Sequence, residues 1–148
     1  MNASADVRAQ VTYNFSAPPE AVFDAWLTTD KIRKWFAPGM GEMVRIAVDA
    51  REGGSFSFVQ RRGLDNVDHG GKYLEFIRPY RLAFTWAVKG TAHSSIVIVD
   101  IAATANGSKL TLTHELHPHW ADYRAKTEAS WTKMLTAMSD AIAWSPLI

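Results

Sequence analysis

Cysteine is absent from all 148 residues, which excludes disulfide scaffolds, thiol nucleophiles and thiolate metal sites. An excess of charge of one sign is missing too: 16 Lys+Arg stand against 15 Asp+Glu, for a formal net charge of +1. No basic run extends beyond Arg61 and Arg62, so the electrostatic footprint that neutralises several phosphates is lacking and no nucleic acid partner is expected. Long apolar runs are also missing. The longest aliphatic stretch, Ile96 to Val99, stops at Asp100, far short of the roughly 20 residues of a membrane span. Asp6 and Arg8 lie where an export signal would have its apolar centre, so a cytoplasmic protein is expected.

What is present fits one globular domain over residues 1–148, with its core in 7–142: 47% of the residues are hydrophobic and 21% charged. A monomer of this size buries roughly 68–70% of its unfolded surface. Folding therefore requires no metal, and no cofactor is expected.

Val7, Ala9, Val11, Tyr13 and Phe15 alternate with Arg8, Gln10, Thr12 and Asn14, the period of a half-buried strand. Pro18 suits the first turn of a helix, and Ala21, Val22, Ala25 and Trp26 then form an apolar stripe. Thr29 or Asp30 can cap a second short helix carrying Ile32, Trp35 and Phe36, closed by Pro38 and Gly39. From Glu42 the pattern becomes that of an antiparallel meander. Its strands are expected near Glu42–Asp49, Ser55–Arg61, Gly70–Ile77, Arg81–Val88, Ser94–Ala102 and Lys109–Leu116. Asn106 and Gly107 are expected to supply the positive φ angles of a tight hairpin turn between the last two. Tyr123, Thr127, Ser130, Trp131, Met134, Leu135, Met138 and Ile142 then repeat every three or four residues, predicting one long amphipathic C-terminal helix.

Several blocks occur in order along this pattern. They are Ser16-Ala17-Pro18-Pro19-Glu20, Val22-Phe23-Asp24-Ala25-Trp26-Leu27-Thr28, Trp35 before Pro38, Gly53-Gly54-Ser55-Phe56, Gly71 to Leu82 with Phe84-Thr85-Trp86, and Gly107 to His114. Together they resemble the bacterial homologues of the C-terminal domain of the heat-shock chaperone ATPase activators, in the START-like (SRPBCC) superfamily. The resemblance spans about Val7 to Ile142. It implies an α+β helix-grip (START-like, Bet v-like) fold: a curved six- to seven-stranded antiparallel sheet wrapped around a long C-terminal helix, with two short helices after strand 1. It also implies a cavity between sheet and helix, where many superfamily members bind apolar molecules. One departure is Ser130-Trp131, where the family usually has Gly-Trp.

Alternation assigns Phe56, Phe58 and Gln60, then Phe84 and Trp86, then Val97, to the concave face of the sheet, with Trp131, Met134 and Leu135 opposite on the helix. Trp35 adds an aromatic wall. Such a lining, rich in aromatics with few polar groups, suits a small apolar or amphipathic molecule; the same stripe also describes a closed core. Glu75 and His114 are the polar candidates, able to orient a ligand's polar end or to act as acid and base if both project inward. Their alternative roles are a surface ion pair of Glu75 with Arg78 or Arg81 and a hydrogen-bonded His114. His69 and Gln60 are weaker candidates of the same kind. A cyclase or hydrolase using Glu75 and His114, and a protein-interaction role with a chaperone contact, stand as alternatives to binding; monomer and homodimer both remain open.

His114, His117 and His119 with Glu115 invite a metal reading. The string His-Glu-Leu-His lacks the four-residue helical spacing of a zinc protease motif, and Pro118 breaks a helix there, so no metal site is expected. His93, Ser94 and Ser95 show no acid partner or nucleophile elbow and read as a turn.

Overall fold

The computed structural model describes residues 7–91 and 93–143, apart from the side chain of His119. Seven strands run in chain order: β1 (Arg8–Phe15), β2 (Met43–Val48), β3 (Ser55–Arg62), β4 (Asp65–Ile77), β5 (Arg81–Val88), β6 (Ser95–Thr104) and β7 (Gly107–Glu115). Helices α1 (Pro19–Ala25) and α2 (Thr29–Trp35) follow β1; a 3-10 segment (Pro118–Tyr123) and α3 (Arg124–Ala143) close the described chain. The sheet order is β1-β7-β6-β5-β4-β3-β2, antiparallel throughout. This is the helix-grip arrangement: an open curved sheet packed against α3, with two short helices after β1. No helix among the described residues is long and apolar enough to cross a membrane.

The meander pairs neighbours in sequence, while β1 crosses to pair with β7 from Arg8↔Glu115 to Phe15↔Ser108. That long-range pairing brings α1 and α2 across the sheet's concave side. The α3 stripe of Trp131, Met134, Leu135 and Met138 is buried against Val22, Phe23, Trp26, Ile32 and Trp35 from the short helices and against the inner faces of the strands. The inner positions of β3, Phe56, Phe58 and Gln60, are buried as their alternation requires.

Three local expectations are corrected. β4 begins at Asp65 rather than Gly70, because Gly63, at φ 65, closes a tight turn and Arg62 pairs with Asp65. Cross-strand pairing outweighs the poor strand propensity of Asp65, Asn66 and Asp68. The β6–β7 hairpin is present, but Ala37 is the only non-glycine with positive φ among the described residues, so Asn106 does not adopt the left-handed geometry expected. Gly107 does have the positive φ expected of it, 155, and a Cβ on it would also lie 2.1 Å from the Phe15 carbonyl oxygen. Thirdly, Ser95 is no turn residue; it opens β6 opposite Trp86.

Rings fill the centre of the grip. Trp26 lies 5.1 Å from Trp35 and 5.7 Å from Trp131, and Phe56 lies 5.4 Å from Phe84. The void they leave is only about 10 Å³, at the lower limit for a single water. The Trp35 Nε1–H donates to the Ala25 carbonyl at 2.8 Å, whereas the buried Trp26 Nε1 has no hydrogen-bond partner among the described residues. Trp26→Phe is therefore expected to cost about 1 kcal/mol less than Trp35→Phe in urea unfolding. The first change removes a donor already unpaired, and the second removes the partner of a buried carbonyl. Equal losses would show that the Trp35 bond contributes nothing net.

Candidate functional site

With the centre packed, open space moves to one end of the grip, where β3, β4 and β5 face the first turns of α3 and the loop after α2. A cavity of about 420 Å³ lies there, lined by Phe36, Pro38, Met40, His69, Trp86, Trp131 and Met134 among others. A second lobe of about 410 Å³ adjoins it toward the β5–β6 connection, with Thr91, Ser95 and Leu116 in its wall. Arg62, Trp86, Val88, His114, Tyr123 and Thr127 border both lobes. These volumes fall within the roughly 300–1000 Å³ of small-molecule sites.

The thirteen residues expected at a ligand site are not brought together in one place. His69, Trp86, His114, Trp131 and Met134 line the cavity. Trp35, Phe56, Phe58 and Phe84 surround the small central void, while Val97 and Leu135 are wholly buried away from both lobes. Gln60 is wholly buried and acts through Arg62, as described below. Glu75 faces outward.

A bulge accounts for Glu75. Tyr73 pairs with Phe84 and Glu75 with Ala83, so Leu74 is an extra residue on β4. An inserted residue reverses the alternation beyond it: Tyr73 stays buried, Leu74 and Glu75 turn outward, and Phe76 packs against Phe23 at 5.3 Å. The Glu75 carboxylate instead receives Arg81 Nε and an Nη at 3.1 Å each, and a further Arg81 Nη reaches Asp100 at 2.7 Å. An exposed network of this kind contributes little to stability, and Glu75 does not reach the cavity.

His114 sits at the cavity wall in a network that fixes its proton. Trp131 Nε1–H donates to His114 Nδ1 at 3.0 Å, and an indole nitrogen can only donate. Nδ1 therefore carries the lone pair, Nε2 carries the hydrogen, and Nε2–H donates to Ser95 Oγ at 2.6 Å. The Ser95 hydroxyl in turn donates to the Trp86 carbonyl at 3.3 Å. Burial pushes the His114 pKa down to about 4, and the indole N–H donated into Nδ1 favours the same neutral form.

This arrangement bears on catalysis. For His114 to take a proton from Ser95, Nε2 would need a free lone pair while Nδ1 kept its own for Trp131, which would require an imidazolate. The pair is thus not a nucleophile and base, and no carboxylate lies among the described residues lining either lobe. His117 stacks on His93 at 4.0 Å rather than joining His114, and the side chain of His119 lies outside the described residues. No group of three or more His, Asp and Glu among the described residues could hold a metal ion.

Residues outside the expected ligand-site set supply the rim: Arg62 from β3, Lys126, Ser130 and Lys133 from α3, and Phe36, Ala37, Pro38 and Met40 from the loop. Arg62 was accessible to alternation, since Phe56, Phe58, Gln60 and Arg62 share one face of β3. Lys126, Ser130 and Lys133 repeat at helical spacing beside the Trp131–Met134 stripe. Ser130 borders the cavity without closing it. The loop residues left no such signal.

A sheet gripping its C-terminal helix around an apolar, end-on cavity defines a START-like domain. The chain belongs to the family of Activator of Hsp90 ATPase homolog 1-like proteins, whose model matches residues 16–143. Among solved structures, a protein from Chromobacterium violaceum is 23% identical, with a TM-score of 0.79 over 94% of this chain and 99% of that one. One from Nitrosomonas europaea is 18% identical, with a TM-score of 0.80 over 93% and 95%. The AHSA1-like protein of Aeromonas hydrophila is 21% identical, with a TM-score of 0.76 over 91% of each chain. At these identities the likeness shows the fold alone. No curated protein matches the chain.

Proposed function

We propose that this protein binds a small apolar or amphipathic molecule, without transforming it, in the cavity between the sheet and the start of α3. The observation that carries the reading is the cavity of about 420 Å³ walled by Phe36, Trp86, Trp131 and Met134, where a ligand's apolar surface would leave water. A non-catalytic role is favoured by the locked tautomer of His114 and the outward turn of Glu75, which remove the acid–base pair that these two residues could have formed. The test is native mass spectrometry of freshly purified protein against its denatured mass, with the organic extract analysed in parallel. A compound released only on unfolding is the expected result. Protein that is empty, and whose melting is unmoved by a panel of lipids, sterols and polyketides, would overturn the reading.

Family membership also supports a chaperone contact as a second reading. Stimulation of a heat-shock chaperone ATPase by the purified protein is its test, and absence of any effect counts against it.

A further inference from the structure

Charge around the cavity departs from the near-neutral balance of the chain. Arg62, Lys126 and Lys133 border it, and none of the described residues lining either lobe is acidic. None of the three forms an ion pair among the described residues; Lys126 Nζ lies 5.8 Å from the centre of the Tyr123 ring. In a chain with 16 basic and 15 acidic residues, three cations around one opening without a counter-charge mark that opening out.

Arg62 is also held in place. Gln60, wholly buried, donates its Nε2 to the carbonyls of Ala37 at 3.1 Å and Gly41 at 3.2 Å. Both carbonyls come from the loop after α2, which Ala37 turns with a left-handed φ of 39. Gly41 permits the close approach, because a Cβ there would lie 1.8 Å from the Arg61 carbonyl oxygen. Two acceptors on Nε2 fix the amide orientation, so Oε1 must face the other way, and it receives Arg62 Nε at 2.8 Å. One of the five guanidinium N–H groups is thereby used, and the four on the two terminal nitrogens are left. A half-buried guanidinium positioned from behind by a neutral amide, with no carboxylate in front, is built to receive an anion in the two-pronged geometry that arginine favours. His69 adds a buried polar atom on the same side, an Nδ1 with no hydrogen-bond partner among the described residues.

We infer that the ligand is an amphipathic carboxylate: its apolar body lies against Phe36, Trp86, Trp131 and Met134, and its anionic end meets Arg62, with Lys126 and Lys133 at the rim. The inference rests on the cavity-binding reading above and adds the sign and position of the ligand's charge. Fatty acids and aromatic acids share this chemistry. The lysines, seven residues apart on α3, stand about 10 Å from one another along the helix, so they draw an anion toward the opening rather than fix it.

The experiment compares dodecanoate with dodecanol and dodecyltrimethylammonium, and 1-naphthoate with 1-naphthalenemethanol, by calorimetry at about pH 7.5, where a carboxylate is ionised, and below micellar concentrations. At least one carboxylate is expected to bind about tenfold or more tightly than its alcohol, as a charge-assisted pair with Arg62 requires, and the ammonium compound is expected to bind weakest. Which acid binds tells a fatty from an aromatic source. Arg62→Gln should remove most of the carboxylate preference while leaving alcohol affinity in place. Should that variant misfold, Lys126→Gln/Lys133→Gln, at exposed positions, is expected to lower carboxylate affinity and its salt dependence. Alcohols binding as tightly as their acids would overturn the anionic ligand and leave the cavity reading standing. Absence of binding by every probe would overturn both.

Discussion

Between pH 7 and pH 4 the wild-type protein is expected to lose about 3 kcal/mol more stability than His114→Asn. In the folded chain, burial holds His114 at about 4, against an ordinary value of 6.5. The folded pKa is the lower one, so protons bind preferentially to the unfolded chain. The contribution of neutral His114 is fully present above 6.5, declines as pH falls toward 4, and is exhausted below that. A difference of about 2.5 pKa units corresponds to roughly 3 kcal/mol. Asparagine is the informative replacement because its side-chain oxygen can accept the Trp131 N–H as Nδ1 does, without a titrating group. His69, lowered first by burial and then by the positive charge of Arg62, works in the same direction; its share remains in both proteins and cancels in the comparison. Urea unfolding at a series of pH values measures the difference. Parallel stability curves for the two proteins would mean that His114 is already protonated or solvated in the native state, and the fixed tautomer argued above would fall with it.

Much of the frame behind that prediction was legible along the chain. The helical repeat through Trp131, Met134, Leu135 and Met138 gave the buried face of α3, and the alternation of Phe56, Phe58 and Gln60 gave that of β3. His114 was placed inward by the same rule, and it is inward. Alternation left the face of Glu75 open, because a bulge is a mismatch between two strands: Leu74 is extra only relative to β5, no period within β4 records it, and the ion pair with Arg81 is the role Glu75 takes. The reason given for the β6–β7 hairpin holds in part: Gly107 has the positive φ expected, Asn106 does not, and the glycine's close approach to Phe15 is a further demand on it.

The candidate site was less legible than the fold, and volume is the reason. A list of inward aromatics says nothing about whether their rings meet. Here Trp26, Trp35, Phe56, Phe84 and Trp131 do meet, so the middle of the grip closes and the cavity is displaced toward the end bordered by Arg62 and α3. Its rim depends on where the loop after α2 docks, and Gln60 fixes that docking through two backbone carbonyls. Neither carbonyl has any signature in the sequence. Among the cations on the rim, Arg62 is far from Lys126 and Lys133 in the sequence, and only the fold brings them to one opening.

Trp131 joins the packed centre to the open end, and its truncation is expected to carry the largest single stability loss at the cavity, on the order of 3–5 kcal/mol for Trp131→Ala. The side chain is 2% exposed and lies 5.7 Å from Trp26 and 5.8 Å from Trp86. Its removal opens the central void into the existing cavity and leaves His114 Nδ1 without its donor. Against a total stability of roughly 5–15 kcal/mol for a domain, such a loss can populate the unfolded state, so Trp131→Ala is unsuited to ligand-binding measurements. Trp131→Phe separates the two contributions. It keeps most of the ring burial and removes the N–H, so the stability loss should be smaller and the His114 pKa should rise from about 4, because the neutral form has lost a bond that favoured it. Chemical denaturation with an unchanged slope gives the first quantity and a histidine NMR titration the second. A Trp131→Ala loss under about 1 kcal/mol would mean that the ring is not part of the core. A His114 titration unmoved by Trp131→Phe would mean that burial alone holds the imidazole neutral.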